Sequence, residues 1–417
     1  MKAIECATKA GEMVWKGWVE SVEDQPNGNK VVRIRGNNAE AILEVPRELA
    51  VEAQLTPQSV VETISVPRPG GIPLICDLNV LNRAEPLPAD LIDPDFTDTR
   101  HRHLHIRTPQ LRAAAMFRHF LQKYVREFLD GLGFYHVHTP ILTEASCVCS
   151  GDVFAFPYYN KKIANLIQSP WMYADALVAG VERVYALNPS FRREREATNI
   201  HLVEIWQLQV DLAWASNEDV MMLEETLLKH LAREFLEKHQ DLYSLAGLSS
   251  THLADLLKPY ERITYDESLD RLNALGHELP YGSDYSKEQS DALSATFAAP
   301  YFITNYPQEL KNFWFPSYEA SGKRLTPSND LFAHTGHGEI IGGGARVHNA
   351  QELSENLDYF GHDQEEFDWF LETRRYGCPP HAGFSTGFDR LAALIMGVDH
   401  ILKATLFPRL PNGTIRP

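Results

Sequence analysis

Pro86, Pro88 and Pro94, set in the acidic stretch from Glu85 to Asp98, constrain this chain more than any other feature. Proline lacks a backbone N–H and fixes φ, so neither a helix nor a central strand runs through such a stretch. It reads as a linker, and the chain must fold on either side of it. Upstream, Met13–Val19, Lys30–Arg35, Ala41–Val45 and Ser59–Val66 are β-rich runs, and Asp24 to Asn29 has turn chemistry. That spacing predicts a small barrel or sandwich. Downstream the pattern is mixed. Phe117, Phe120, Leu121, Tyr124, Val125, Phe128 and Leu129 follow the period of an amphipathic helix, with Gly131 and Gly133 as its stop. Strand-like runs follow, then a helical stretch from about Asn217 to Lys238.

Composition narrows the function. The 417 residues suffice for two or three domains, and 44% apolar with 23% charged residues is globular. Lysine plus arginine is 39 and aspartate plus glutamate 56, giving a formal charge of −17. That balance excludes a general polyanion-binding surface but leaves room for a local basic patch. No run of 18 apolar residues predicts a membrane span, and the first residues lack the apolar run of a signal peptide. Five cysteines fit reduced thiols. The expectation is a cytoplasmic protein.

Several clusters carry candidate chemistry. Phe191 to Glu196, followed by His201 and the strand-like Val203–Trp206, places arginines beside a strand, where one can clamp a phosphate bidentately. A solvated charged hairpin is the alternative. Asp330 and Glu339, beside Gly342, Gly343 and Gly344, offer two carboxylates near close-approach backbone, suited to Mg²⁺ held against phosphate oxygens. Gly383 to Arg390 is a glycine-rich strand-to-helix junction, where Arg390 can stack on a base or meet phosphate. His101, His103 and His105 alternate without completing a ligand set. His334 and His337 lie nearer the carboxylates, and Cys147 and Cys149 read as buried thiols.

In this order the segments resemble the class II aminoacyl-tRNA synthetases, in the aspartyl/asparaginyl subgroup, over almost the whole chain. Phe134–Pro140 with its preceding helix is similar to motif 1. Phe191-Arg192-x-Glu194 with His201-Leu202 and Glu204 is similar to motif 2. Gly383-Phe384-x-x-Gly387-Phe388-Asp389-Arg390, then Phe407-Pro408-Arg409, is similar to motif 3 and the subgroup's ending. Tyr306–Phe313 and Gly338–Gly343 resemble its signatures between motifs 2 and 3. The resemblance implies an α+β chain: an OB-fold β-barrel over residues 1–84, a linker over 85–108, and a catalytic domain over 109–417. That domain would be an antiparallel sheet flanked by helices, with a helical insertion at about 215–300.

The resemblance also implies roles. ATP and Mg²⁺ are the expected cofactors, and a carboxylate attacks the α-phosphate to give an acyl-adenylate. Arg192 would grip that phosphate, Glu194 face the adenine amino group, and Ile205 stand where the family stacks a phenylalanine on adenine. His201 and Arg390 would meet the γ-phosphate, Asp330 and Glu339 hold the metal, and Ser169 lie in the acid pocket. Arg346 stands where the family binds the substrate's side-chain carbonyl. Ala174, where aspartyl enzymes typically carry lysine, places the chain on the asparaginyl side. Motif 1 implies a homodimer.

Departures from the pattern fall in the pocket for the α-ammonium. Val148, Trp171 and Gln209 stand where the family places a glutamate, a glutamine and an acid. A desolvated ammonium without acceptors costs several kcal/mol. On the barrel strands Val22, Val31 and Ala41, with Glu20 and Glu23, replace the aromatic and basic residues that read an anticodon. Ile200 replaces the arginine before His201. These losses lead to the expectation of an adenylate-forming ligase that passes its acid to an amine or ammonia in small-molecule metabolism, with tRNA disfavoured. A genuine asparaginyl-tRNA synthetase is the alternative, and a non-catalytic sensor a second.

Overall fold

The structure is a computed structural model that describes residues 11–36, 39–86, 96, 99–144, 153–193, 198–411 and 415. The chain divides into two units, residues 1–95 and 96–417. The division falls inside the expected linker, and its later part belongs to the second unit. There Arg102 is buried, with its guanidinium bonded to the carbonyls of Leu402, Thr405 and Leu406.

The first unit is a closed barrel in the order β1-β2-β3-β5-β4. Its strands are β1 (Met13–Asp24), β2 (Lys30–Gly36), β3 (Ala39–Val45), β4 (Val60–Arg68) and β5 (Gly71–Asn82). Alternate residues point inward, so Val19, Val32, Ile34, Leu43, Val45, Val61 and Ile75 form its core. Two glycines permit closure. A Cβ on Gly17 would lie 2.0 Å from the Arg35 carbonyl oxygen, and one on Gly36 would lie 1.9 Å from that of Lys16.

The second unit centres on an eight-stranded sheet in the order β12-β13-β16-β17-β18-β11-β10-β6. In chain order these are β6 (Tyr135–His136), β10 (Arg183–Phe191), β11 (Glu204–Ala213), β12 (Glu261–Thr264), β13 (Tyr301–Thr304), β16 (Ser328–Phe332), β17 (Glu339–Arg346) and β18 (His381–Gly387). A small sheet of β7 (Leu142–Thr143), β8 (Ala155–Pro157) and β9 (Ile163–Leu166), and a hairpin of β14 (Tyr318–Ala320) and β15 (Lys323–Leu325), complete it. The large sheet is antiparallel except at its edges, where β6 pairs with β10 and β12 with β13 in parallel. The helices Pro109–Gly131, Asn217–Lys238 and Phe388–Met396 share one core with residues such as Leu208, Val210, Ile341 and Phe384 of the central strands. The stretch expected as a helical insertion contributes to this body. Its first helix is part of this core, capped by a reciprocal Ser216–Asp219 box, and its strand β12 joins the main sheet.

Candidate functional site: a cleft along one face of the sheet

Residues two apart on a strand share a face, so Gln207, Gln209 and Asp211 of β11 point the same way. Gln209 lies opposite Ser385 and Asp211 opposite Gly383. Those β18 residues face Gly342 and Gly344 of β17 in turn, and Arg346 pairs with His381. Glycines thus form a floor between polar walls. A Cβ on Gly383 would fall 2.1 Å from Asp211 Oδ1, and one on Gly344 2.8 Å from the Phe315 ring.

At one end of this face Arg192, His201, Ile205, Gln207, Glu339 and Arg390 line a cleft. Arg192 leaves β10 with its N–H donating to the Val203 carbonyl at 2.9 Å. Its buried guanidinium Nε has no partner among the described residues, which suits an anion brought in by a ligand. His201 Nδ1 lies 2.6 Å from Thr198 Oγ1. Arg390 donates from Nη1 to the Glu339 carbonyl at 2.7 Å. The helix that carries it is pinned by buried Asp389, which accepts from Arg118 at 2.6 Å and from the Trp206 N–H at 3.1 Å. Ile205 packs on Leu202, Ile401 and Leu402.

The carboxylates of Glu339 and Asp330 converge over Gly342, whose added Cβ would stand 2.9 Å from Glu339 Oε1 and 3.3 Å from Asp330 Oδ1. Glu339 keeps a solvent-facing side, yet the protein crowded round its carboxyl and the neighbouring Asp330 push its proton affinity up against Arg390 and Lys311. Among the described residues no set of three or more His, Cys, Asp or Glu could hold a metal. Two carboxylates beside an arginine-lined cleft fit Mg²⁺, which typically keeps several waters and takes further oxygens from a bound phosphate. His334 and His337 turn elsewhere, His334 toward Asp255 at 3.6 Å and His337 to the Val398 carbonyl at 2.8 Å.

The other end is a buried ionic network. Arg346 donates from Nη2 to the Gly383 carbonyl at 3.0 Å, its Nε lies 3.9 Å from Asp211 Oδ1, and its guanidinium covers Phe315. Gln209 donates to Asp211 Oδ2 at 2.7 Å, and its Oε1 accepts from nothing described. Burial raises the Asp211 carboxyl to about 7, although Arg346 pulls the other way. Behind it Asp175 accepts from Arg374 at 3.0 Å and from His381 at 2.8 Å. Burial would raise Asp175, but those two cations outweigh it and hold its carboxyl well below the usual range. Burial likewise disfavours charge on His381, yet Asp175 lifts its imidazole to about 10.

Ser169 is buried and accepts from the Trp171 N–H at 3.4 Å. Trp171 opens the Trp171–Val181 helix and packs within an aromatic cluster with Trp314 and Phe370. It is a wall of the aromatic core. Val148, Glu194, Cys147 and Cys149 lie outside the described residues. Asp211, Arg374 and His381 were not singled out from the sequence. Asp211 carried the one readable signal, its two-residue spacing from Gln209.

Residues 95–411 match the family described as tRNA synthetases class II (D, K and N). This chain belongs to that family. It is an AMP-forming ligase of the aminoacyl-tRNA synthetase type. The asparagine–tRNA ligase of Thermococcus gammatolerans is 33% identical over 387 residues, covering 92% of this chain and 88% of that protein. That of Pyrococcus abyssi is 35% identical over 311 residues, covering 75% and 71%. A crystal structure of asparaginyl-tRNA synthetase from Pyrococcus horikoshii complexed with asparaginyl-adenylate has a TM-score of 0.91 at 30% identity, covering 98% of this chain and 96% of that one.

These matches correct two expectations, the small-molecule amide-forming ligase and the disfavouring of tRNA. Likeness to asparagine–tRNA ligases extends through the barrel as well as the catalytic unit. Asp211 and Gln209 Oε1 stand as acceptors beside Arg346, and β1 of the barrel presents a half-exposed Trp18 with Arg35 over its ring at 4.6 Å. No described helix is long and apolar enough to cross a membrane.

Proposed function

We propose that this synthetase activates asparagine with ATP and transfers it to tRNA. The observation that supports this reading most is the continuous face from the Arg192–Arg390 cleft to the Arg346–Asp211–Gln209 set, in a chain so similar to an enzyme captured with asparaginyl-adenylate. The substrate carboxylate forms a bond to the α-phosphorus while the α–β anhydride breaks and pyrophosphate leaves. A terminal ribose hydroxyl of the tRNA then displaces AMP from the acyl carbon.

Arg192 holds the α-phosphate as charge accumulates on it, and Arg390 and His201 hold the far phosphates. Asp330 and Glu339 hold Mg²⁺, which neutralises phosphate charge when bound. Arg346 donates to the substrate's side-chain oxygen. Asp211 and Gln209 supply acceptors for its N–H groups, so the ammonium pocket is rebuilt rather than lost. Glu194 is assigned to adenine by resemblance alone. On the barrel, Trp18 and Arg35 offer a stacking surface for a single-stranded base. Leu132 and Tyr135, exposed on the motif 1 segment, fit a homodimer seam. A cytoplasmic location accords with this role.

ATP–pyrophosphate exchange tests the first step, run with asparagine, with aspartate and with four-carbon acids lacking the α-amino group. Exchange with asparagine, followed by charging of tRNA, is expected. Exchange confined to the deaminated acids, with no charging, would overturn the reading.

A further inference from the structure

The Asp330–Glu339 pair, assigned above to magnesium, already has a cation of the protein's own. Lys311 follows β13 in the chain and donates from Nζ to Asp330 Oδ2 at 2.6 Å, each side chain only 12% exposed. The ammonium also lies 3.7 Å from the ring centroid of Tyr306, which is itself buried. It is thus fixed by a carboxylate on one side and an aromatic face on the other. Glu339 lies within range of the same charge. A solvent-exposed ion pair would be ornamental, but this one holds a buried positive charge on Oδ2 of the carboxylate whose Oδ1 converges with Glu339.

We propose that Lys311 is a positioning residue that guards the metal site. Its ammonium on Asp330 Oδ2 offsets the negative charge of the two carboxylates and opposes a divalent ion there. A nucleotide's phosphates offset that ammonium in turn and admit the ion. Metal binding is thereby tied to nucleotide binding, since an ammonium and a divalent cation a few ångströms apart repel each other. The inference rests on the metal assignment of Asp330 and Glu339.

Mn²⁺ binding to the full chain without nucleotide, read from the EPR signal of the free ion, tests it. Lys311→Met should bind Mn²⁺ at least about tenfold more tightly than the parent, because one repelling charge a few ångströms away has gone. Lys311→Arg should restore weak binding, and Lys311→Gln gives a second neutral variant should methionine prevent folding. Adding Asp330→Asn to Lys311→Met should abolish the gain. Equal or weaker binding by folded neutral variants would overturn the guard, leaving Lys311 a structural partner. The metal assignment is tested apart: Asp330→Asn should weaken the Mg²⁺ dependence of ATP–pyrophosphate exchange. Should it not, or should the Mn²⁺ gain survive Asp330→Asn, the assignment fails and takes the guard with it.

Discussion

At the end of the cleft proposed for the nucleotide, Arg192, His201 and Arg390 stand only partly buried, on a loop and on the first turn of a helix. At the end proposed for the amino acid, Arg346 and Asp211, and behind them Asp175, Arg374 and His381, are buried and paired in two groups. One end holds its cations at a partly open surface, while the other pairs its charges inside the protein. A polyphosphate brings enough charge to organise partly exposed arginines around itself. A small amino acid brings little, so its pocket must be held in shape beforehand. Loss of charge should therefore act on catalysis at the first end and on stability at the second.

The largest effect expected is at Arg192. Arg192→Ala should slow ATP–pyrophosphate exchange with asparagine by about 10²–10³-fold, the usual range for a lost donor to developing charge. Its urea midpoint should stay close to the parent's. A large fall in stability with little change in exchange would break the comparison at its first limb. Next is Arg374→Met, which leaves the buried Asp175 hydrogen-bonded to His381 as its one cationic donor among the described residues. A cost of about 3 kcal/mol in urea unfolding is expected, in line with stripping one partner from a buried pair. A variant as stable as the parent would show that Asp175 simply gains a proton.

How much of this was readable beforehand follows the same division. Arg192, His201, Glu339 and Arg390 were legible as a group because they sit in short local patterns that resemble a known order, and the fold brings them to one cleft. The barrel was legible from alternation and turn chemistry. The amino-acid end was not, because Asp175, Asp211, Arg374 and His381 come from four segments and meet only in the folded sheet. Trp171 and Gln209 read singly as lost acceptors, and the folded chain adds that the Trp171 ring belongs to the Trp314–Phe370 cluster and that Asp211 stands beside Gln209. The Asn217–Lys238 helix was seen, but its place in the core depends on long-range packing that no local period reveals.

A pH series sharpens the second limb. His381 rises from 6.5 to about 10 on folding, so the stability it contributes is fully present below about pH 6.5 and is lost as pH climbs through 10. Asp175 has a lowered value, so its share is present above its ordinary 3.8 and is lost as pH falls below that. Their joint contribution is therefore flat between those limits. Thermal melts from pH 6.5 to 10 should show a decline that His381→Gln lessens. An unchanged alkaline slope in that variant would mean that His381 is already neutral in the native protein.

The smallest effect probes the first limb from the opposite direction, by adding contact instead of removing charge. Ile205 lines the cleft and packs on Leu202, Ile401 and Leu402, where the family resemblance expects an aromatic ring against adenine. An aliphatic face offers adenine area without π-stacking, and an aromatic pair is worth about 0.5–1.5 kcal/mol beyond its area. Ile205→Phe should then lower the KM for ATP by roughly two- to twelvefold, by the conversion of about 1.4 kcal/mol per factor of ten. The turnover should hold, because adenine is bound equally in ground and transition states. A larger ring also presses on three neighbours, and overpacking of a full site commonly costs 1–3 kcal/mol. An unchanged KM together with a lower melting temperature would mean that the site is full. Isoleucine would then be matched to its aliphatic neighbours, and the nucleotide end as tightly built as the acid pocket it faces.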